Sequence, residues 1–155
     1  MKCAQCNSTD NKVVESRDVA EGEAIRRRRQ CLKCNYRFTT YERIERPNLV
    51  VIKRDGTREL FSRDKLMSGL QHASEKTALS SLQLENFVAS VERELYGRGE
   101  PEVTSVDIGE LVMTGLSRLN EVAYVRFASV YRKFRDISSF EKELSRIRKG
   151  RSHNK

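Results

Sequence analysis

Hydrophobic and polar positions change period near the middle of the chain. Lys12 to Val19 and Ala24 to Gln30 read as strands, separated by a turn at 20–23 (AEGE) around Gly22. Tyr36 to Ile44 alternates. Tyr36, Phe38, Thr40 and Ile44 fall on one face, and Arg37, Thr39, Tyr41 and Arg43 on the other. After a short linker at 45–48 (ERPN), residues 49–61 (LVVIKRDGTRELF) place two short apolar runs around Asp55-Gly56, a hairpin signal. Helical spacing follows. Ser62 caps a first helix running to about Lys76, with Leu66, Leu70 and Ala73 on one side. Ser80 or Ser81 opens a second, carrying Leu84, Phe87, Val88, Val91 and Leu95, which Gly97 and Gly99 stop. Thr104 or Ser105 opens a third, with Ile108, Leu111, Val112 and Leu119 apolar. Asn120 opens a fourth, NEVAYVRFASVYRKF, apolar around much of its circumference and so expected to be buried. A last helix is expected from Ser138, with Ser138 and Glu141 as a capping box. The predicted class is α+β: a three-stranded sheet over 1–46, a β-hairpin on a helical bundle over 49–139, and a C-terminal helix with a basic tail over 140–155. The tail RKGRSHNK has no apolar residue and is expected to be disordered.

Charge changes this picture. The net charge of the 155 residues is +8. Residues 1–48 hold 11 Lys/Arg against 7 Asp/Glu, residues 49–141 hold 13 against 14, and residues 142–155 hold 6 against 1. A neutral body thus carries basic ends, and nucleic acid is the expected acidic partner. Charged residues are 34% of the chain and hydrophobic ones 37%, so any core is small and divided. The longest apolar runs, such as LVVI at 49–52, are far too short to span a membrane. With a cysteine already at position 3, no charged leader and apolar segment of a signal peptide is read. A cytoplasmic location is expected, on the nucleoid when DNA is bound.

The four cysteines form two C-x-x-C pairs, Cys3/Cys6 and Cys31/Cys34. Each tight turn points two thiolates at one ion, and two turns close a tetrahedral shell. This pattern predicts one structural Zn2+ with no open coordination position. A disulfide pair does not suit a cytosolic chain, and a redox C-x-x-C expects a single motif in a βαβ context. Each second cysteine is followed by an asparagine, Asn7 and Asn35, where zinc knuckles need a positive φ. With the strand pattern this describes a three-stranded zinc ribbon. It is too small to fold on hydrophobic burial alone.

Four arginines, Arg26, Arg27, Arg28 and Arg29, run into the second knuckle. In a strand Arg26 and Arg28 point one way and Arg27 and Arg29 the other. One reading is a solvated strand, its arginines paired among Glu15, Asp18, Glu21 and Glu23. The density of the run, and the nearby polar face with Arg37 and Tyr41, favour contact with double-stranded DNA. Arg17 is assigned to the same surface. No Walker A motif, H-E-x-x-H, nucleophile elbow or catalytic carboxylate pair is present, so no enzyme is expected. His72 and His153, the two histidines, carry no catalytic pattern.

The segments CAQC, VAEGEAIRRRRQCLKCNYRFTTYE, VIKRDGTRELFSRDKL and VAYVRFASVYRKF closely resemble the NrdR family, bacterial transcriptional repressors of ribonucleotide reductase operons. The resemblance runs from Met1 to about Phe140. It implies that 49–139 is an ATP-cone, binding ATP and dATP beneath a hairpin lid. Carried over by position, Lys53 and Arg54 face the phosphates, and Glu59 and Lys65 line the same pocket. Val51 and Ile52 meet the base, and Ser105 and Tyr131 reach in from the helices. It further implies binding to palindromic operator boxes, and self-association into homo-oligomers that differ with the nucleotide bound. States containing dATP repress, and ATP-loaded ones assemble into larger inactive forms. Two other readings remain at this point: a zinc-ribbon/ATP-cone adaptor acting on a partner protein, and a nucleotidase.

Overall fold

The structure, a computed structural model, describes residues 1–132, 134 and 136–151, with backbone alone for 146–151. The chain divides into two units, Met1–Pro47 and Asn48–Lys155.

In the first unit, strands β1 (Asn11–Val19), β2 (Ala24–Cys31) and β3 (Arg37–Arg43) form one antiparallel sheet in the order β1-β2-β3. The β1–β2 connection takes three successive residues into the left-handed region, Ala20 (φ 54), Glu21 (φ 55) and Gly22 (φ 89). Between Val13 and Glu15 the register shifts, leaving Val14 as the extra residue of a bulge. Among the described residues of this unit, full burial is confined to Cys3, Val19, Ala20, Ala24 and Cys31. So few side chains cannot offset the ordering of the chain, and the fold depends on what the cysteines hold.

The second unit contains β4 (Val50–Ile52), β5 (Arg58–Leu60), α1 (Arg63–Ser74), α2 (Ser81–Gly97), β6 (Glu102–Thr104), α3 (Ser105–Leu119), α4 (Glu121–Tyr131) and α5 (Ile137–Arg151). The hairpin turn is as the sequence predicts. The Gly56 N–H donates to the Lys53 carbonyl at 2.9 Å and that of Lys53 to the Thr57 carbonyl at 2.8 Å. Gly56 takes φ 84, which a side chain would strain. The sheet has a third strand that the sequence reading did not contain. β6 pairs parallel with β4, making β4 central in the order β5-β4-β6. Three residues are too few to show alternation, and Pro101 and Thr104 read as loop and cap.

Caps set the helix starts. The side chains of Ser62, Ser80, Thr104 and Asn120 each accept a backbone N–H three residues on, and Ser80/Gln83 and Thr104/Asp107 complete capping boxes. The expectation for α5 is corrected. Asp136, not Ser138, is its cap, accepting from the Ser139 N–H and hydroxyl at 2.7 Å each. An ionised carboxylate at a helix N-terminus holds the N–H groups more firmly than a hydroxyl does. α1 ends at Ser74, and α4 ends at Tyr131 rather than continuing to Phe134. The expectation of a disordered RKGRSHNK is corrected for 148–151, which are helical; 152–155, with His153, lie outside the described residues.

The core gathers Leu70 from α1, Leu84, Val88, Val91 and Leu95 from α2, Val112, Met113 and Leu116 from α3, and Ala123, Tyr124 and Ala128 from α4, closed by Leu49, Val51 and Val103. Arg63 crosses from α1 to α2, meeting Glu85 at 2.7 Å and Glu92 at 3.0 Å. All three side chains are less than a fifth exposed. Removing either partner class would leave charge unbalanced in a dry setting.

Candidate metal centre and binding faces

The two knuckles are built alike. Asn7 and Asn35 each donate a backbone N–H to the carbonyl of the preceding knuckle's first cysteine, Cys3 and Cys31, at 3.0 Å. Both asparagines take the expected left-handed conformation, φ 57 and φ 60. The four Sγ atoms of Cys3, Cys6, Cys31 and Cys34 lie within 4.8 Å of one another, with Cys3–Cys34 at 3.7 Å and Cys6–Cys31 at 3.6 Å. A tetrahedron of thiolates at about 2.3 Å from Zn2+ has S–S edges of about 3.8 Å. The residues therefore fit one structural Zn2+. The backbone favours thiolates here. The N–H of Cys6 chiefly, then that of Gln5, lowers the Cys3 thiol to about 7 against the effect of burial. The Cys34 and Lys33 N–H groups lower Cys31 in the same way. At Cys34 the Tyr36 N–H lowers the value, but burial and the three neighbouring thiols outweigh it and push it up to about 12. A divalent cation among the four sulfurs reverses that repulsion.

The ribbon sheet sorts the predicted DNA-binding residues into two sets. Arg26 stands opposite Arg17 and Tyr41, Arg28 opposite Glu15 and Thr39, and Gln30 opposite Lys12 and Arg37. Directly opposed residues share a face, so Arg17, Arg26, Arg28, Arg37 and Tyr41 lie together. Arg43 joins them with its guanidinium 4.4 Å over the Tyr41 ring. Lys12 and Arg43 were absent from the sequence assignment, although strand alternation places them there. Arg27 and Arg29 lie on the other face and are engaged by the protein. Arg27 pairs with Glu42, and Arg29 donates to Thr40 at 3.1 Å and Asn11 at 3.2 Å. On the first face Arg17 pairs with Glu15.

The residues expected around a nucleotide form two groups. At the base of the hairpin Glu59 bridges two cations, Lys53 at 2.8 Å and Lys65 at 3.2 Å. Those contacts, Lys53 first, hold the Glu59 carboxyl below its ordinary range. Arg54 turns to the end of α4, donating to the Tyr131 carbonyl at 3.2 Å with its guanidinium 5.0 Å over the ring. Val51 is 4% exposed, so its side chain serves the core; Ile52 and Ser105 are half-buried. A cavity of about 570 Å³ lies between α1 and α4, lined by Gly69, His72, Ala73, Arg126, Phe127, Ser129, Val130 and Tyr131. Of the residues assigned to nucleotide, Tyr131 alone lines it. His72 is exposed beside Glu75 at 3.3 Å. No helix among the described residues is long and apolar enough to cross a membrane.

Comparison with known proteins matches both units. Residues 1–42 match the model of the transcriptional repressor NrdR-like N-terminal domain, and 49–137 that of the ATP cone domain. Three relatives, each named transcriptional repressor NrdR, align over nearly the whole chain. That of Geobacillus kaustophilus is 54% identical over 97% of this chain and 99% of its own. That of Myxococcus xanthus is 53% identical over 96% and 88%. That of Streptococcus pneumoniae (strain Hungary19A-6) is 50% identical over 95% and 94%. With a four-cysteine centre that fits zinc in one unit and an ATP-cone as the other, the chain belongs to the NrdR family.

Proposed function

We propose that the protein is a transcriptional repressor that binds operator DNA through the first face of its ribbon and reads the ratio of dATP to ATP with its cone. The observation that carries this reading is the arginine face. Arg17, Arg26, Arg28 and Arg37 stand with Tyr41 on one side of a small sheet, next to a centre that makes the sheet rigid. Planar guanidinium groups match phosphate oxygens and guanine edges, and rigidity aims them. Arg27 and Arg29 brace the opposite side.

The cone supplies the control. Lys53, Lys65 and Arg54 would take the phosphates, with Glu59 released from its two lysines or turned to the sugar. The targets are palindromic boxes upstream of ribonucleotide reductase genes. States with dATP grip the operator, and ATP-loaded ones associate into oligomers that do not. A nucleotide shifts assembly only as far as it binds the two assemblies unequally. The role is regulatory rather than catalytic, because four thiolates leave zinc no open position for substrate.

The test pairs two variants. Arg26→Ala with Arg28→Ala loses operator binding and keeps zinc and nucleotide, whereas Lys53→Ala loses nucleotide affinity in a calorimeter and keeps zinc. Operator affinity unchanged by the arginine pair contradicts the DNA face. Nucleotide affinity unchanged by Lys53→Ala contradicts the phosphate site.

A further inference from the structure

We propose that Arg54, Tyr131 and Arg132 couple the hairpin to the docking of the C-terminal helix α5, with Gly109 as the positioning residue that seats the Tyr131 ring. The idea that nucleotide drives this coupling rests on the function proposed above; the coupling itself does not.

The contacts form one continuous path. Arg54, at the hairpin tip, holds Tyr131 through its carbonyl and its ring. The Tyr131 hydroxyl donates to the Val106 carbonyl at 3.0 Å, on the first turn of α3. Beneath the ring lies Gly109, where a Cβ would stand 2.0 Å from the aromatic carbons. The ring thus occupies a seat that exists only because residue 109 is glycine. The next residue, Arg132, reaches Glu110 at 3.5 Å and Glu143 of α5 at 3.3 Å. Glu143 is 7% exposed and also accepts from the Tyr124 hydroxyl.

This junction is poised to change. Among the described side chains of α5, Phe140 packs edge-to-face on Phe134 at 5.4 Å, while Ile137 is exposed. A buried carboxylate depends on its cation, and losing Arg132 would leave Glu143 charged and dry. The Arg132 Nε is itself buried without a hydrogen-bond partner among the described residues. A polyphosphate gathered by Lys53 and Lys65 competes for Arg54, because a charged acceptor outbids a neutral carbonyl for a guanidinium. Tyr131 then loses its outer support, and Arg132 is its immediate neighbour in the chain.

Amide hydrogen exchange over 137–145 of the full-length, zinc-loaded protein tests this. Without nucleotide, Arg54→Ala and Gly109→Ala each speed exchange of α5 by about fivefold or more, as does Glu143→Gln. Arg58→Ala, which removes the hairpin's ion pair with Glu102 instead, leaves α5 at the wild-type rate. If Glu143→Gln loosens α5 while Arg54→Ala and Gly109→Ala do not, the coupling is overturned. In wild type, saturating ATP also speeds α5 exchange. ATP that binds by calorimetry yet leaves α5 unchanged overturns the nucleotide-driven step. Absence of ATP binding contradicts the proposed function, and the nucleotide-free variants still decide the coupling.

Discussion

A left-handed asparagine after each second cysteine shows how much single residues fix here. Asn7 and Asn35 adopt φ near 60 where most side chains meet the following carbonyl, at a cost of about 1–2 kcal/mol. Replacing either by alanine is expected to weaken the ribbon by about 1 kcal/mol, read as weaker competition with a zinc chelator, and replacement by glycine to leave it unchanged. The arginines divide as sharply. Arg26 and Arg28 lie with Arg17 and Tyr41, and each is expected to cost about 1–3 kcal/mol of operator affinity when cut to alanine. Arg27→Ala removes an exposed pair with Glu42. It is expected to change stability by less than about 1 kcal/mol and DNA affinity little. Equal losses from Arg26→Ala and Arg27→Ala in a binding titration would refute the assignment to one face.

At the scale of elements, the ribbon and the hairpin respond to different chemistry. The ribbon's described core is two cysteines and three small or β-branched residues, so chelation is expected to unfold β1 to β3 and spare the helices. Circular dichroism would show helical signal retained, and amide hydrogen exchange would show the ribbon amides losing protection. The hairpin responds to acid. Glu59 is held below its ordinary range by Lys53 and Lys65, so its contribution is present above the unfolded carboxylate value and is lost as pH falls through the lower folded one. Hairpin protection is expected to decline below about pH 4, and Glu59→Gln to remove that step. These elements were legible in the sequence for physical reasons. Cysteine spacing, Asp55-Gly56 and the side-chain caps at Ser62 and Asn120 are local signals that decide local structure. What was not legible depends on tertiary partners. β6 is a strand because Val103 finds Val51 across a parallel ladder, and no three-residue pattern announces that. Asp136 and Ser138 both fit a cap template, and only the fold shows that Asp136 accepts the Ser139 N–H. Arg54 over Tyr131 spans 77 residues, and only the fold brings them together.

At the scale of the whole molecule, nucleotide in one unit is proposed to govern DNA binding by the other. Nucleotide can shift DNA binding only as far as it binds the DNA-competent and the incompetent states unequally. The proposed phosphate contact by the ribbon would also make binding salt-dependent, with a log–log slope of about −0.9 per neutralised phosphate. Arg26→Ala and Arg28→Ala, made singly, should each reduce that slope by about 0.9. A slope indifferent to these residues would move DNA contact elsewhere on the chain. The most direct measurement is the affinity of zinc-loaded protein for ribonucleotide reductase promoter DNA, titrated at fixed salt in dATP, in ATP and in neither. The account predicts tight binding with dATP and release with ATP. Binding that is absent, or equal in all three conditions, would contradict it.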